Sequence, residues 1–299
     1  MMSWKKIFGR RKMQEEKKGH HLPDTADMKV IIRTDLGNIR TNNEDAGLFF
    51  RIADANITHQ KGSILMVADG MGGHQAGEVA SKMATEIISK EYFNTNGNGN
   101  IEKTLSKVFT LANKNILAAA STDGSKKGMG TTCTALIVAG NQVYYAHVGD
   151  SRAYVIKNKN IARITTDHTY VQELIKTGSI TAAEAEKHPQ RNILTNAMGT
   201  KPQIHVDTGK CDFSFEENDR LMICSDGLYE YLDDAEIAGI VNNSPLQEAA
   251  EQLIEEAKKR GGHDNITVVL AEKTGAAPSK PTKQTRDFVL PVTKEIDIP

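Results

Sequence analysis

The 299-residue chain is poor in cysteine, holding only Cys133, Cys211 and Cys224. An odd, scattered count offers neither a disulfide framework nor zinc-ligand spacing. Cys133 and Cys224 fall inside the apolar runs TTCTALIVA and RLMICSDG and read as reduced thiols of buried strands. Long apolar runs are missing too. None approaches the ~18 residues of a membrane-spanning helix. The basic N-terminus has no apolar stretch behind it, so no secretory signal is expected and cytoplasmic residence is the default. Nor is there an excess of one charge. The net charge is −1, and residues 1–18 carry seven Lys/Arg against two Glu, or +5, leaving −6 for the rest. A mildly acidic body does not suit nucleic acid.

What is present, 39% hydrophobic and 25% charged residues, suits one globular domain, or at most two. The composition marks residues 1–28 as a disordered basic tail and 274–299, with four prolines, as a second disordered tail. The folded part is then 29–273, without internal repeats. In the first tail Trp4, Ile7 and Phe8 recur at i, i+3, i+4 beside Lys5, Lys6, Arg10, Arg11 and Lys12. A solvated tail is one reading of that pattern, and weak contact with an anionic membrane surface is the other.

Strand-length apolar runs occur at SILMVA before Asp69, at 133–139, 142–148, 153–158, 161–165, 220–225 and 265–272. Gly140-Asn141 and Lys159-Asn160 suggest hairpin turns. Helical spacing runs through 76–93 and 101–120. Capping boxes are expected at Thr181 with Glu184 and at Asp233 with Glu236, and another at Ser244 with Gln247, over a helix ended by Gly261. Hairpins with few helices between them predict an α+β fold of mainly antiparallel sheets flanked by helices.

One chemical pattern stands out. Aspartates recur at the ends of apolar runs beside glycine: Asp69-Gly70, Gly149-Asp150, Asp226-Gly227 and, after Gly261-Gly262-His263, Asp264-Asn265. Glu44-Asp45 adds a further acidic spot. Singly, each is ordinary turn chemistry. Brought together, carboxylates ~4 Å apart repel by roughly 4 kcal/mol per pair at an effective dielectric near 20, so such a cluster needs cations. Oxygen ligation without paired Cys or His favours Mg²⁺ or Mn²⁺ over zinc.

The stretches GNIRTNNEDA (37–46), VADGMGGHQAGEVAS (67–81), GTTCTALIV (130–138), AHVGDSRAYV (146–155), TTDHT (165–169), RNILTNAMG (191–199), RLMICSDGLYEYL (220–232) and GGHDNITVVL (261–270) carry a resemblance. In this order they resemble the metal-dependent protein phosphatases, the type-2C protein Ser/Thr phosphatases of bacterial type, over nearly all of 29–273. The resemblance implies a sandwich of two antiparallel β-sheets flanked by α-helices, with a metal centre at one edge. It implies two Mn²⁺ or Mg²⁺ ions, bridged by Asp69, with the Gly70 carbonyl on one and Asp226 and Asp264 on the other. Glu44 and Asp45 would hold metal-bound waters, and Arg40 would bind the phosphate. Asp150, with Asp226, matches a position that can hold a third ion. Some relatives carry a histidine directly after the Asp-Gly. Here Met71 stands there, leaving His74 or a metal-bound water as the leaving-group acid.

The activity implied is hydrolysis of phosphoserine and phosphothreonine in proteins, opposing a eukaryotic-like Ser/Thr kinase. A catalytically weak relative that only binds phosphoproteins is the alternative, and the complete acidic set argues against it. The segment of about 168–192 resembles the flap of the kinase-paired bacterial members. A cysteine-based phosphatase is excluded, because the residues six after the three cysteines are Ala139, Glu217 and Glu230 rather than arginine. DGMGGHQAG fits neither nucleotide-loop pattern.

Overall fold

The computed structural model describes residues 27–52, 54–72, 76–95 and 99–275, the side chains of 55, 56 and 125 aside. Most of both expected tails, including Trp4, Ile7 and Phe8, lies outside the described residues, as does His74. The first half runs β1 (Met28–Asp35), β2 (Asp45–Phe50), α1 (Ala55–Lys61), β3 (Ser63–Met71), α2 (Ala76–Asn94), α3 (Ile101–Thr122), β4 (Gly130–Thr131), β5 (Cys133–Ala139), β6 (Gln142–Val148), β7 (Arg152–Lys157) and β8 (Asn160–Arg163). There follow α4 (Tyr170–Lys176), α5 (Ala182–Glu186), β9 (Asp207–Ser214), β10 (Arg220–Cys224), α6 (Asp226–Tyr229), α7 (Asp234–Asn243), α8 (Leu246–Lys259) and β11 (Ile266–Lys273).

The strands form two antiparallel sheets, ordered β1-β11-β10-β7-β8 and β2-β3-β5-β6-β9, with β4 pairing β3. Alternation sorts the side chains into three layers. Val30, Ile32, Leu65, Val67, Leu136, Leu221, Ile223 and Val269 meet between the sheets. Met66, Ala68, Ala135 and Ile137 face outward under α2 and α3. Ile31, Met222, Val268 and Leu270 face the other way, under α6, α7 and α8. Strands buried on both faces explain the near-continuous apolar runs. Each fully buried Leu, Ile or Val is worth roughly 1.5–3 kcal/mol of transfer free energy.

On α2 the buried stripe holds Ser81, Thr85 and Ser89 beside Ala80, Ala84 and Ile88, while Val79, Met83 and Ile87 are only half-buried. The stripe is therefore rotated from the one apolar spacing picks out. Small hydroxyl residues fit it because Thr85 and Ser89 donate to the carbonyls four residues back, Ser81 and Thr85, at 3.1 and 2.7 Å.

Several expectations are corrected. Met28, read as tail, opens β1 and is 2% exposed. The turn between β7 and β8 is built on Asn158 and Lys159, both at positive φ (51° and 66°), one residue before the expected pair. Ser244 does not cap α8: Pro245 holds that place without a side-chain bond, and the Ser244 hydroxyl lies 3.0 Å from Gln252 Oε1. The boxes at Thr181 and Asp233 are both formed. Strands β1, β2 and β9 lie outside the apolar runs expected to form strands. β9 is an edge strand in which only Cys211 is buried, so DTGKCDFS carries almost no alternation.

Register brings the strand ends together. Asp45 at the start of β2 pairs with Asp69 near the end of β3, and Cys133 opening β5 pairs with Val148 closing β6. In the other sheet Cys224 closes β10 opposite Val268 of β11 and Arg152 of β7. The segments carrying Glu44, Asp69, Asp150, Asp226 and Asp264 therefore emerge at corresponding strand ends.

Candidate active site

Asp45 is sealed in β2, 2% exposed, and its Oδ2 accepts the Ser225 hydroxyl at 2.7 Å. Ser225 Oγ in turn accepts the Thr267 amide at 2.9 Å, which joins the two sheets beneath the site. Asp69 is pinned through its backbone. Its amide donates to Thr132 Oγ1 at 3.0 Å, and its carbonyl accepts from the Thr132 amide and the Thr131 hydroxyl. Its carboxylate is thereby left to face the edge. The Gly70 amide donates to the Glu44 carbonyl at 3.1 Å. A Cβ on Gly70 would lie 2.2 Å from the Gly77 carbonyl oxygen, so glycine is required for this approach. Asp226 opens the short helix α6, with Ser225 as its N-cap between it and the end of β10 at Cys224.

The loop between β1 and β2 carries Arg40 and Glu44 and is tied down at both ends. Asn38 donates through Nδ2 to the Lys258 and Gly261 carbonyls at 2.7 and 2.9 Å. Asn265, 4% exposed, accepts the Glu44 amide at 2.8 Å and donates to the Leu36 and Asn42 carbonyls. Exposed Arg40 lies over the edge, its Nη2 donating to Asp264 Oδ2 at 2.7 Å. Removing the Asn265 side chain leaves several polar groups unpaired, at a cost of about 1–3 kcal/mol. Asn265→Ala is therefore expected to lower the denaturation midpoint and to slow turnover by loosening Arg40 and Glu44. An unchanged midpoint in urea would show that this residue does not hold the loop.

The electrostatics mark these residues as one cluster. Burial and then the neighbouring Asp45, Asp226, Asp150 and Asp264 push Asp69 well above the carboxylate range. Burial followed by Asp150 and Asp264 does the same to Asp226. Burial, opposed by Arg40, raises Glu44 to about 7. Burial, opposed by the bonds from Thr267 and Ser225, raises Asp45 to about 6. Asp150 rises to about 7 through burial and Asp167, with Arg152 acting against both.

These residues fit a hard divalent cation. The donors are all oxygens, and their negative charges oppose one another. Asp226 Oδ1 is buried with no hydrogen-bond partner, a state that costs about 1–3 kcal/mol and that a cation relieves. Among the described residues no three acidic, imidazole or thiol side chains already close onto one point as a finished cage. Asp264 is engaged with Arg40 and Asp45 with Ser225. Met71 lies half-buried in β3 and has no proton to give.

The structure thus brings Arg40, Glu44, Asp45, Asp69, Asp150, Asp226 and Asp264 into one electrostatic neighbourhood. Ser225, Asn265, Thr131 and Thr132 also hold the site together, and none of them is among the residues expected from the sequence. All four stand inside the motifs quoted above, but they are uncharged, and only register shows what they touch.

A carboxylate-rich edge on a four-layer α/β/β/α sandwich is the architecture expected of a metal-dependent phosphohydrolase. The protein phosphatase 2C family profile matches residues 41–271, and the chain belongs to this family. Serine/threonine phosphatase stp of Listeria innocua is 41% identical over 250 residues, covering 82% of this chain and 96% of that protein. The crystal structure of the serine/threonine phosphatase PstP/Ppp of Mycobacterium tuberculosis superposes with a TM-score of 0.74 at 33% identity, covering 83% of this chain and all of the other. A structure of the PstP catalytic domain in complex with two manganese ions has a TM-score of 0.69 at 32% identity, covering 83% of this chain and 99% of that one.

Proposed function

We propose that this chain is a protein serine/threonine phosphatase that uses two Mn²⁺ or Mg²⁺ ions held by Asp69, the Gly70 carbonyl, Asp226 and Asp264. The observation that carries this reading is the buried, unpartnered Asp226 Oδ1 within a cluster of mutually repelling carboxylates. When bound, such ions supply hydroxide at neutral pH and neutralise phosphoryl oxygens. Asp45, locked by Ser225, fixes the cluster from behind, and Glu44 borders it on the loop held by Asn265. Arg40 exchanges its contact with Asp264 for two phosphate oxygens, which its planar fork grips together and a lysine would not. Asp150 and Asp226 together suit a third ion.

The decisive assay is release of phosphate from p-nitrophenyl phosphate and from a phosphothreonine peptide. Release with Mn²⁺ or Mg²⁺ and none in EDTA is expected. Undiminished release in EDTA would overturn the reading.

Phosphorylated proteins of the cytoplasm, modified by a Ser/Thr kinase that this enzyme opposes, are the substrates this reading implies. The segment of about 168–192 acts as a flap for them: it carries α4 and α5, and Asn192 beyond α5 donates to Glu230 at 2.7 Å, just past α6. Substitutions in α4 or α5 are therefore expected to slow phosphoprotein hydrolysis more than aryl phosphate hydrolysis. Equal losses on both substrates would count against the flap.

Residues 1–18, with their charge of +5, give the chain a weak attraction to anionic membrane, about 1 kcal/mol per basic residue near the surface. Trp4 is the sole tryptophan, so its fluorescence should shift to the blue with anionic vesicles at low salt. An unshifted spectrum would rule the contact out.

A further inference from the structure

His168 is 8% exposed and lies where the segment of about 168–192 leaves the sandwich. Its ring has three polar neighbours. Nδ1 lies 3.1 Å from the Gly149 amide nitrogen and 2.9 Å from Asn196 Nδ2. Nε2 lies 3.1 Å from Asp207 Oδ2. The Asn196 amide is oriented independently, because its Oδ1 accepts the His205 amide at 3.2 Å while Nδ2 also donates to the His205 carbonyl at 2.7 Å. Both groups facing Nδ1 are therefore donors. Nδ1 must offer its lone pair, and the proton sits on Nε2, donated to Asp207. Burial holds this ring below the ordinary histidine value, which favours the neutral form the geometry demands.

The backbone repeats the arrangement. The His168 amide donates to the Gly149 carbonyl at 2.7 Å, and the Thr195 amide donates to the His168 carbonyl at 2.9 Å. His168 and Gly149 are thus joined in both directions, with Asn196 closing the return of the chain onto the same ring. Gly149 has φ +109°, and a Cβ there would lie 2.5 Å from Thr132 Cβ. This is the left-handed turn that delivers Asp150 to the cluster.

We propose that His168 is a positioning residue whose Nδ1 lone pair latches the Gly149-Asp150 turn and the neck of segment 169–195 to each other. The latch sets where Asp150 stands relative to Asp226 and keeps the flap on the same side. Its effect on turnover rests on the phosphatase reading. Its structural part does not.

Two substitutions separate the two sides of the ring. His168→Asn keeps an acceptor where Nδ1 lies and loses the donor to Asp207. His168→Gln keeps a donor near Nε2 and loses that acceptor. Exchange of the Gly149 amide with solvent deuterium, followed in the metal-free full-length protein, should stay slow in His168→Asn and become fast in His168→Gln. With saturating Mn²⁺ and p-nitrophenyl phosphate, kcat should stay close to wild type in His168→Asn and fall about tenfold in His168→Gln. A residue that merely fills space predicts the reverse order, since glutamine is nearer to histidine in size. Asp207→Ala, which leaves both donors on Nδ1, should behave as His168→Asn does, and it carries the test if either ring variant fails to fold. Equal or faster Gly149 exchange in His168→Asn than in His168→Gln, or a loss in Asp207→Ala as large as that in His168→Gln, overturns the proposal. A wild-type protein without Mn²⁺-dependent turnover would defeat the phosphatase reading, and Gly149 exchange would still decide the latch.

Discussion

Asp226→Ala is expected to lower kcat by at least ~10²-fold on any phosphate ester, the order of loss for one electrostatic element of a catalytic site. The same change should leave the metal-free fold intact. Asp226 follows the buried strand RLMIC, whose packing does not involve its carboxylate. Its Oδ1 is buried without a partner, and burial together with Asp150 and Asp264 already disfavours its charge. Truncation removes a group whose desolvation costs about 1–3 kcal/mol. Against that stands the loss of an acidic residue in the first turn of α6, worth about 0.3–1 kcal/mol. The balance predicts a metal-free melting temperature equal to or above wild type. The rise in melting temperature on adding Mn²⁺ should shrink, because a ligand that binds the native state less tightly stabilises it less. Near-normal turnover at saturating Mn²⁺ would remove Asp226 from the site. Lost turnover with a lower metal-free melting temperature would instead make it a structural residue.

The second large effect is on stability against pH. Glu44, Asp45 and Asp150 are raised to about 7, 6 and 7, whereas in the unfolded chain they ionise near ~4. Between those limits the native state binds more protons than the unfolded state, so stability falls as pH rises through the window. For Asp45 alone, a rise from 3.8 to about 6 corresponds to on the order of 3 kcal/mol. Carboxylates held low, such as Asp207 beside His168 or Glu251 bonded to Arg33, act in the opposite sense only at lower pH. Buried His147, lowered to about 4, and His168, also lowered, oppose the fall up to the ordinary histidine value of ~6.5. They are two groups against five once the raised Asp69 and Asp226 are included. In EDTA the melting temperature should therefore drop between pH 5 and 8. Mn²⁺ binds the ionised carboxylates, so the stabilisation it confers should grow over the same range. Differential scanning calorimetry at several pH values tests both. A melting temperature that is flat or rising in EDTA, with a Mn²⁺ shift independent of pH, would show that these carboxylates are not the ones that matter.

Much of the carboxylate cluster is legible in the sequence, for a physical reason. A carboxylate at the end of a buried strand leaves a simple trace, an apolar run stopped by Asp beside Gly, and Asp69 and Asp226 both carry it. Their convergence left no such trace. It depends on Asp45 lying opposite Asp69 and on Cys224 lying opposite both Val268 and Arg152, pairings between residues far apart in the chain. The same limit hid Ser225, which bonds Asp45 from 180 positions away, and Asn265, which holds a loop more than 220 positions earlier. Neutral side chains have no pattern of their own, and their roles come entirely from what the fold sets beside them. The misplaced cap at Ser244 has a different origin. Ser-Pro followed by Gln has the composition of a helix start, but Ser244 also ends α7, and its hydroxyl turns to Gln252.

The central claim is that the acidic edge of the sandwich is a binuclear metal centre. Crystals soaked in Mn²⁺ and measured at an energy where manganese scatters anomalously test it most directly. Two anomalous peaks about 4 Å apart, both in contact with Asp69 and one of them with Asp226 and Asp264, are the predicted result. Manganese bound only elsewhere, or no peak within reach of Asp69, would contradict the account.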